Sequence, residues 1–201
     1  MRQFFLLISY IFHPLFAPIA GTLAYFLVTP KYTPLEVQSG NILPVFILTI
    51  IIPIISFFIL KNLGVVNSIF LSTNKERIFP LIISIAILLM ILIKVIPNNY
   101  TAELYFYFVG LLSATAASLL LIFFNFKNSL HLMGMGSFLM FLINLSIHFE
   151  INIILAISTF TLFTGLVATA RLYLDAHSRA EVFIGLLIGL SSQLFTVKFW
   201  L

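Results

Sequence analysis

The run Phe79-Pro-Leu-Ile-Ile-Ser-Ile-Ala-Ile-Leu-Leu-Met-Ile-Leu-Ile-Lys-Val-Ile96 carries a single charge, Lys94. A helix that crosses the hydrocarbon core of a bilayer needs about 20 mainly apolar residues, and this run has that length and character. The pattern repeats along the chain. Polar breaks at Thr29–Asn41, Lys61–Phe79, Ile96–Thr101, Asn125–Ser129, His148–Asn152 and Asp175–Arg179 separate apolar segments, read as helices over 3–28, 42–60, 79–96, 102–124, 130–148, 151–174 and 180–199. A helix satisfies its own backbone polar groups in lipid, where water cannot. The expected fold is therefore all-α, a polytopic transmembrane helix bundle of about seven spans. Six is the alternative count, should the last segment not cross.

Composition supports this reading. Hydrophobic residues make up 62% of the 201 residues and charged residues 8%, with a mean hydropathy of +1.19; an ordinary soluble domain is about a quarter charged. No polar region is large enough for a second domain, so residues 1–201 read as a single integral membrane domain. The net charge of +4 does not indicate nucleic acid, because the basic residues are few and lie at helix ends. It suits an anionic lipid surface or a phosphate-bearing ligand. Cysteine is absent, which excludes disulfides and thiolate metal sites.

Met1-Arg2 and the apolar run after it look like the start of a signal peptide, but the run continues through Phe12-His13-Pro14 and Ala17-Pro18 to about Val28. That is too long for a signal sequence, and it is expected to be the first span, kinked at its prolines. Alternation of seven spans then places the N-terminus and the breaks at 61–79, 125–129 and 175–179 on one side. Lys75, Arg77, Lys127, His131, Arg171, Asp175, His177 and Glu181 gather there. The cluster side has seven of the ten Lys and Arg residues, which by the positive-inside rule faces it to the cytoplasm. Setting aside Lys75, Arg77, Lys127 and Arg171 as ligand candidates leaves three on each side, and the orientation stays open. A multi-pass protein of the bacterial plasma (inner) membrane is expected.

The most informative stretch for chemistry is Ala170-Arg171-Leu-Tyr-Leu-Asp175-Ala-His177-Ser-Arg-Ala-Glu181-Val182-Phe-Ile-Gly185. It resembles the third signature of the type-2 phosphatidic acid phosphatase superfamily, which includes lipid phosphate phosphatases and vanadium haloperoxidases. Arg171, His177, Val182 and Gly185 match; Ala170 replaces a serine, and Glu181 replaces an aspartate while keeping the carboxylate. Asn128-Ser129-Leu130-His131 is similar to the second signature with only its serine and histidine kept. Lys75-Glu-Arg77-Ile-Phe-Pro80 supplies the residue types of the first at a different spacing, and Lys127 is a second candidate for its cation. The phosphatase-like core is placed at about 61–200.

The resemblance implies that His177 attacks phosphorus to form a phosphohistidine, that Glu181 orients its ring, and that His131 protonates the leaving alkoxide. Arg171, Arg77, Lys75 or Lys127, and Ser129 would bind the phosphoryl oxygens. It implies no metal and no other cofactor. The expected partner is a phosphorylated membrane lipid of the phosphatidate, phosphatidylglycerophosphate or polyprenyl diphosphate class, amid bulk membrane lipids.

Elementary chemistry points the same way. Ionisable groups within a membrane are costly and are usually paired or functional, and the planar guanidinium fork suits phosphate. Histidines and a carboxylate can serve as nucleophile, acid and orienting group. The bland reading makes His177 and Arg171 a structural pair at a helix end, Ser129 a helix cap, and Lys75 with Arg77 a headgroup-facing loop. Asp175 reads as a cap or salt-bridge partner, and His13 and His148 as packed or interfacial histidines. Two other functions fit the composition: an inactive relative that binds phosphorylated lipids, and a small transporter with proline-kinked helices at Pro44 and Pro53.

Overall fold

The computed structural model describes residues 1–68, 71, 73–96 and 101–200. Among them there is no strand, and seven helical segments are long and apolar enough to cross a membrane: Arg2–Val28, Leu35–Asn62, Asn74–Lys94, Ala102–Phe123, Leu130–His148, Ile154–Tyr173 and Arg179–Val197. The chain is a multi-pass all-α bundle.

Two of the seven are interrupted. The first span consists of α1 (Arg2–Ile11), a 3₁₀ turn (Pro14–Phe16) and α2 (Ala17–Val28). Pro14 forces the preceding residue out of the helical region: His13 is extended at φ −65°, ψ 139°, and its ring caps the turn. The second span runs from α3 (Leu35–Phe46) through a π turn (Ile47–Ile51) into α4 (Ile52–Asn62). It starts earlier than the apolar run alone indicates. Polar residues such as Gln38 and Asn41 are helical there, and Asn41 donates to the Val37 carbonyl at 2.9 Å.

The remaining spans are α5 (Asn74–Lys94), α6 (Ala102–Phe123), α7 (Leu130–His148), α8 (Ile154–Tyr173) and α9 (Arg179–Val197). The early start of α5 has a local cause. Thr73 and Glu76 form a reciprocal capping box that begins the helix five residues before the apolar run.

Four helices end in one way. Gly64, Asn125, Glu150 and Asp175 adopt a left-handed backbone, with φ between 51° and 70°, and the next amide reaches back five residues, as in Ala176 N–H to the Arg171 carbonyl at 3.1 Å. This motif satisfies carbonyls that a helix end otherwise leaves open, and it turns the chain sharply. Asp175 is thus the residue on which α8 reverses toward α9.

The central helix is α7, which packs most closely against α9. Small residues permit the approach. A Cβ on Gly189 would lie 2.8 Å from the Ser137 nitrogen, and one on Gly185 would lie 3.1 Å from the Ser129 nitrogen. At the end of the bundle away from the charged cluster, Glu103 is buried and is held by Lys31, by the Tyr25 hydroxyl at 3.0 Å and by His148 at 3.3 Å. His148 therefore has a defined partner besides the rings of Phe149 and Trp200 that pack on it.

Candidate functional site

The turn between α8 and α9 builds one wall. Ser178 caps α9, accepting from the Glu181 amide at 3.3 Å, while Glu181 Oε2 accepts from the Ser178 amide at 3.1 Å. The same carboxylate oxygen lies 2.7 Å from His177 Nδ1. One acidic side chain thus both starts a helix and fixes an imidazole. The start of α7 is fastened alongside, since the Ser129 amide donates to the Glu181 carbonyl at 2.9 Å, which requires the bare backbone of Gly185.

Arg77, in the first turn of α5, reaches across to this wall. Its Nε donates to the Leu71 carbonyl at 2.9 Å, Nη1 to the Asn128 carbonyl at 2.8 Å, and Nη2 lies 3.4 Å from His177 Nε2. A guanidinium has donors only, so His177 Nε2 is the acceptor and its proton sits on Nδ1, facing Glu181. The imidazole is neutral and presents a lone pair beside Arg77. Burial holds the His177 pKa below the ordinary histidine value; the Glu181 hydrogen bond opposes this, and the charges of Arg77 and Arg171 add to it.

The first span supplies the opposite wall through Ser9. Its carbonyl lies 3.0 Å from His131 Nε2, and its hydroxyl accepts from Arg171 Nη1 at 3.3 Å. A carbonyl only accepts, so His131 carries a proton on Nε2, and its Nδ1 has no partner among the described residues. The His13 ring stands edge-on to that of His131, with centroids 5.3 Å apart.

These groups border a cavity of about 540 Å³, within the range of small-molecule sites. Its polar end is formed by Arg77, Arg171, His131 and His177 together with Ser9 and His13, while Ile50, Pro53, Ile54 and Phe57 of the second span and Ile83 of the third line the apolar remainder. Arg77 and Arg171 are each 4% exposed. Among the described residues neither forms an ion pair with a carboxylate, and Arg171 Nε has no hydrogen-bond partner. Two buried guanidiniums with no carboxylate in direct contact are costly, and an anion in the cavity would relieve that cost. Among the described residues no three His, Asp or Glu side chains are placed to hold a metal ion.

Of the residues singled out in the sequence, His177, His131, Arg171 and Arg77 meet at the cavity, and Glu181 stands behind His177. Lys75, Lys127 and Ser129 do not border it. Lys75 is exposed in the first turn of α5, Lys127 is half-buried ahead of α7, and Ser129 is fully buried against α9 with no partner for its hydroxyl. Sequence reasoning missed Ser9 and His13. A polar residue followed by His-Pro inside an apolar span was the available signal. No family model, curated protein or solved structure matches the chain.

Proposed function

We propose that the protein is a membrane phosphohydrolase that removes phosphate from a phosphorylated lipid through a phosphohistidine at His177. The observation that carries this reading is the line Arg77–His177–Glu181: a neutral imidazole with its lone pair beside a guanidinium and its other nitrogen fixed by a carboxylate. Such a pair combines a nucleophile with a donor for the oxygens of the phosphoryl group.

In the first step the phosphoryl group enters between the two guanidiniums, and Arg77 Nη2 turns from His177 Nε2 to a phosphoryl oxygen. His177 Nε2 attacks phosphorus as the ester P–O bond breaks. Glu181 stabilises the positive charge that grows on the ring. The leaving oxygen takes a proton from Nδ1 of His131, which acquires it as the anionic phosphoryl group enters, while its Nε2–H remains on the Ser9 carbonyl in either charge state. In the second step, neutral His131 takes a proton from water, the resulting hydroxide attacks phosphorus, the N–P bond breaks and phosphate leaves. His177 is neutral again.

The apolar part of the cavity supports a lipid substrate. A cavity polar at one end and lined by aliphatic and aromatic side chains from the second and third spans accepts a headgroup with the beginning of a hydrocarbon chain. Phosphatidate, phosphatidylglycerophosphate and polyprenyl diphosphate all meet that description. Phosphate release by the purified protein from these three, in mixed micelles, tests the reading. Release from at least one and its loss, by a thousandfold or more, in His177→Ala are expected. Binding without release by the wild type would favour the inactive-relative reading, and equal release by His177→Ala would remove His177 from the chemistry.

A further inference from the structure

The first span lies outside the segment that resembles the phosphatase signatures, yet it puts a third histidine on the cavity. His13 Nδ1 accepts the backbone N–H of Leu15 at 3.3 Å, capping the turn Pro14–Phe16. An amide donates and cannot accept through its N–H, so Nδ1 carries no proton and the ring proton is on Nε2. Nε2 has no hydrogen-bond partner among the described residues and is not fully buried. The ring borders the polar end of the cavity beside His131, Arg171 and His177.

The three imidazoles are thereby differentiated by their neighbours. His177 Nε2 is an acceptor against Arg77, and His131 has its Nε2 proton committed to Ser9 with Nδ1 open. His13 alone offers an N–H with no partner while its other nitrogen is occupied by an amide. A ring held in this way cannot serve as a proton acid, since loss of its proton would leave an imidazolate. It can donate a hydrogen bond to an oxygen.

From this arrangement we infer that His13 is a substrate-binding residue, a neutral hydrogen-bond donor to an oxygen of the phosphorylated headgroup. The inference rests on the phosphate-binding reading of the cavity. It adds to the two guanidiniums a donor without charge, supplied by a span joined to the rest of the site through Ser9.

Two substitutions separate the cap from the donor. Asparagine keeps an oxygen at the position of Nδ1 and is a good capping residue, but it has nothing at the reach of Nε2. Glutamine keeps an N–H near that reach and caps poorly. In a His177→Ala background, which removes the proposed nucleophile, binding of inorganic phosphate and of dihexanoyl phosphatidate would be measured by equilibrium dialysis of the detergent-solubilised protein. His13→Asn is expected to weaken binding about tenfold, the size of one hydrogen bond to a charged group, and His13→Gln is expected to weaken it less. Thermal stability should follow the opposite order, with His13→Asn the more stable. A purely structural role would make affinity follow stability.

Unchanged affinity in His13→Asn overturns the inference and leaves the reading of the cavity standing. Failure of the parent to bind either probe overturns both. Should His13→Asn not fold, His13→Leu against His13→Gln gives the same comparison, and equal affinity of those two overturns the inference. Turnover by the wild type, measured separately, decides the hydrolytic reading whatever the outcome for His13.

Discussion

At the residue scale, the behaviour of the site follows from which atoms can only donate and which can only accept. Arg77 and the Ser9 carbonyl impose opposite roles on the Nε2 atoms of His177 and His131, and the proposed mechanism uses that difference to make one a nucleophile and the other a proton carrier. This has a pH signature. The folded His177 binds its proton less tightly than a free histidine, whose value is 6.5, so it stays neutral as pH falls through that value. The acid limb of kcat/KM, which reports protonation of the free enzyme's nucleophile, is therefore expected below pH 6.5 for whichever lipid phosphate is hydrolysed. An acid limb at or above 6.5 would show that another group governs it, or that the burial of His177 is relieved in solution.

The cluster was legible in the sequence to different degrees at different residues. His177, Glu181 and Arg171 lie within one short stretch, and the spacing of four between His177 and Glu181 places a carboxylate beside the ring once a helix starts at Ser178. Arg77 could be named but not distinguished from Lys75, because the choice depends on which face of the first turn of α5 looks inward. Ser9 was silent, since its role lies in a carbonyl and a hydroxyl that only a distant helix can use. His13 reads from the sequence as a packed residue, because a lone histidine in an apolar span is more often packed than used.

At the scale of elements, hydropathy gave seven apolar segments, and all seven cross the bundle as helices. The ends were harder to read. Leu35–Asn41 is polar enough to pass for a loop, yet the helix begins there, because helical residues at the edge of a membrane need not be apolar. The start of α5 at Asn74 was readable from Thr73-x-x-Glu76, a signature written in side-chain chemistry and not in hydropathy. The four left-handed helix ends fall to Gly in one case and to Asn, Glu and Asp in the others. Only the glycine advertises such a turn in advance, and the turn at Asp175 is the one that presents His177 to the cavity.

At the scale of the whole molecule, polar side chains fasten the bundle at both ends, and the two ends differ. The cavity end leaves Arg171 Nε unsatisfied, whereas Glu103 at the other end is engaged by Lys31, Tyr25 and His148. That contrast supports the proposed function at the first end and makes fastening the role of the second. Glu103→Gln is expected to lower the thermal stability of the detergent-solubilised protein by about 1–3 kcal/mol, the range for a buried group that loses part of its hydrogen bonding. Its affinity for inorganic phosphate should be unchanged. Unchanged stability would contradict the fastening role, and a loss of phosphate affinity would mean that the two ends are coupled.

The claim on which the account turns is that His177 Nε2 bonds to phosphorus. Acid-quench-free trapping tests it most directly: the purified protein is mixed with ³²P-labelled phosphatidate, phosphatidylglycerophosphate or polyprenyl diphosphate, denatured in alkali within the first turnovers, digested, and the label located. An alkali-stable, acid-labile phosphoryl group is expected on the peptide that contains His177, absent from His177→Ala. Label confined to a serine, or turnover with no labelled peptide and undiminished by His177→Ala, would contradict it.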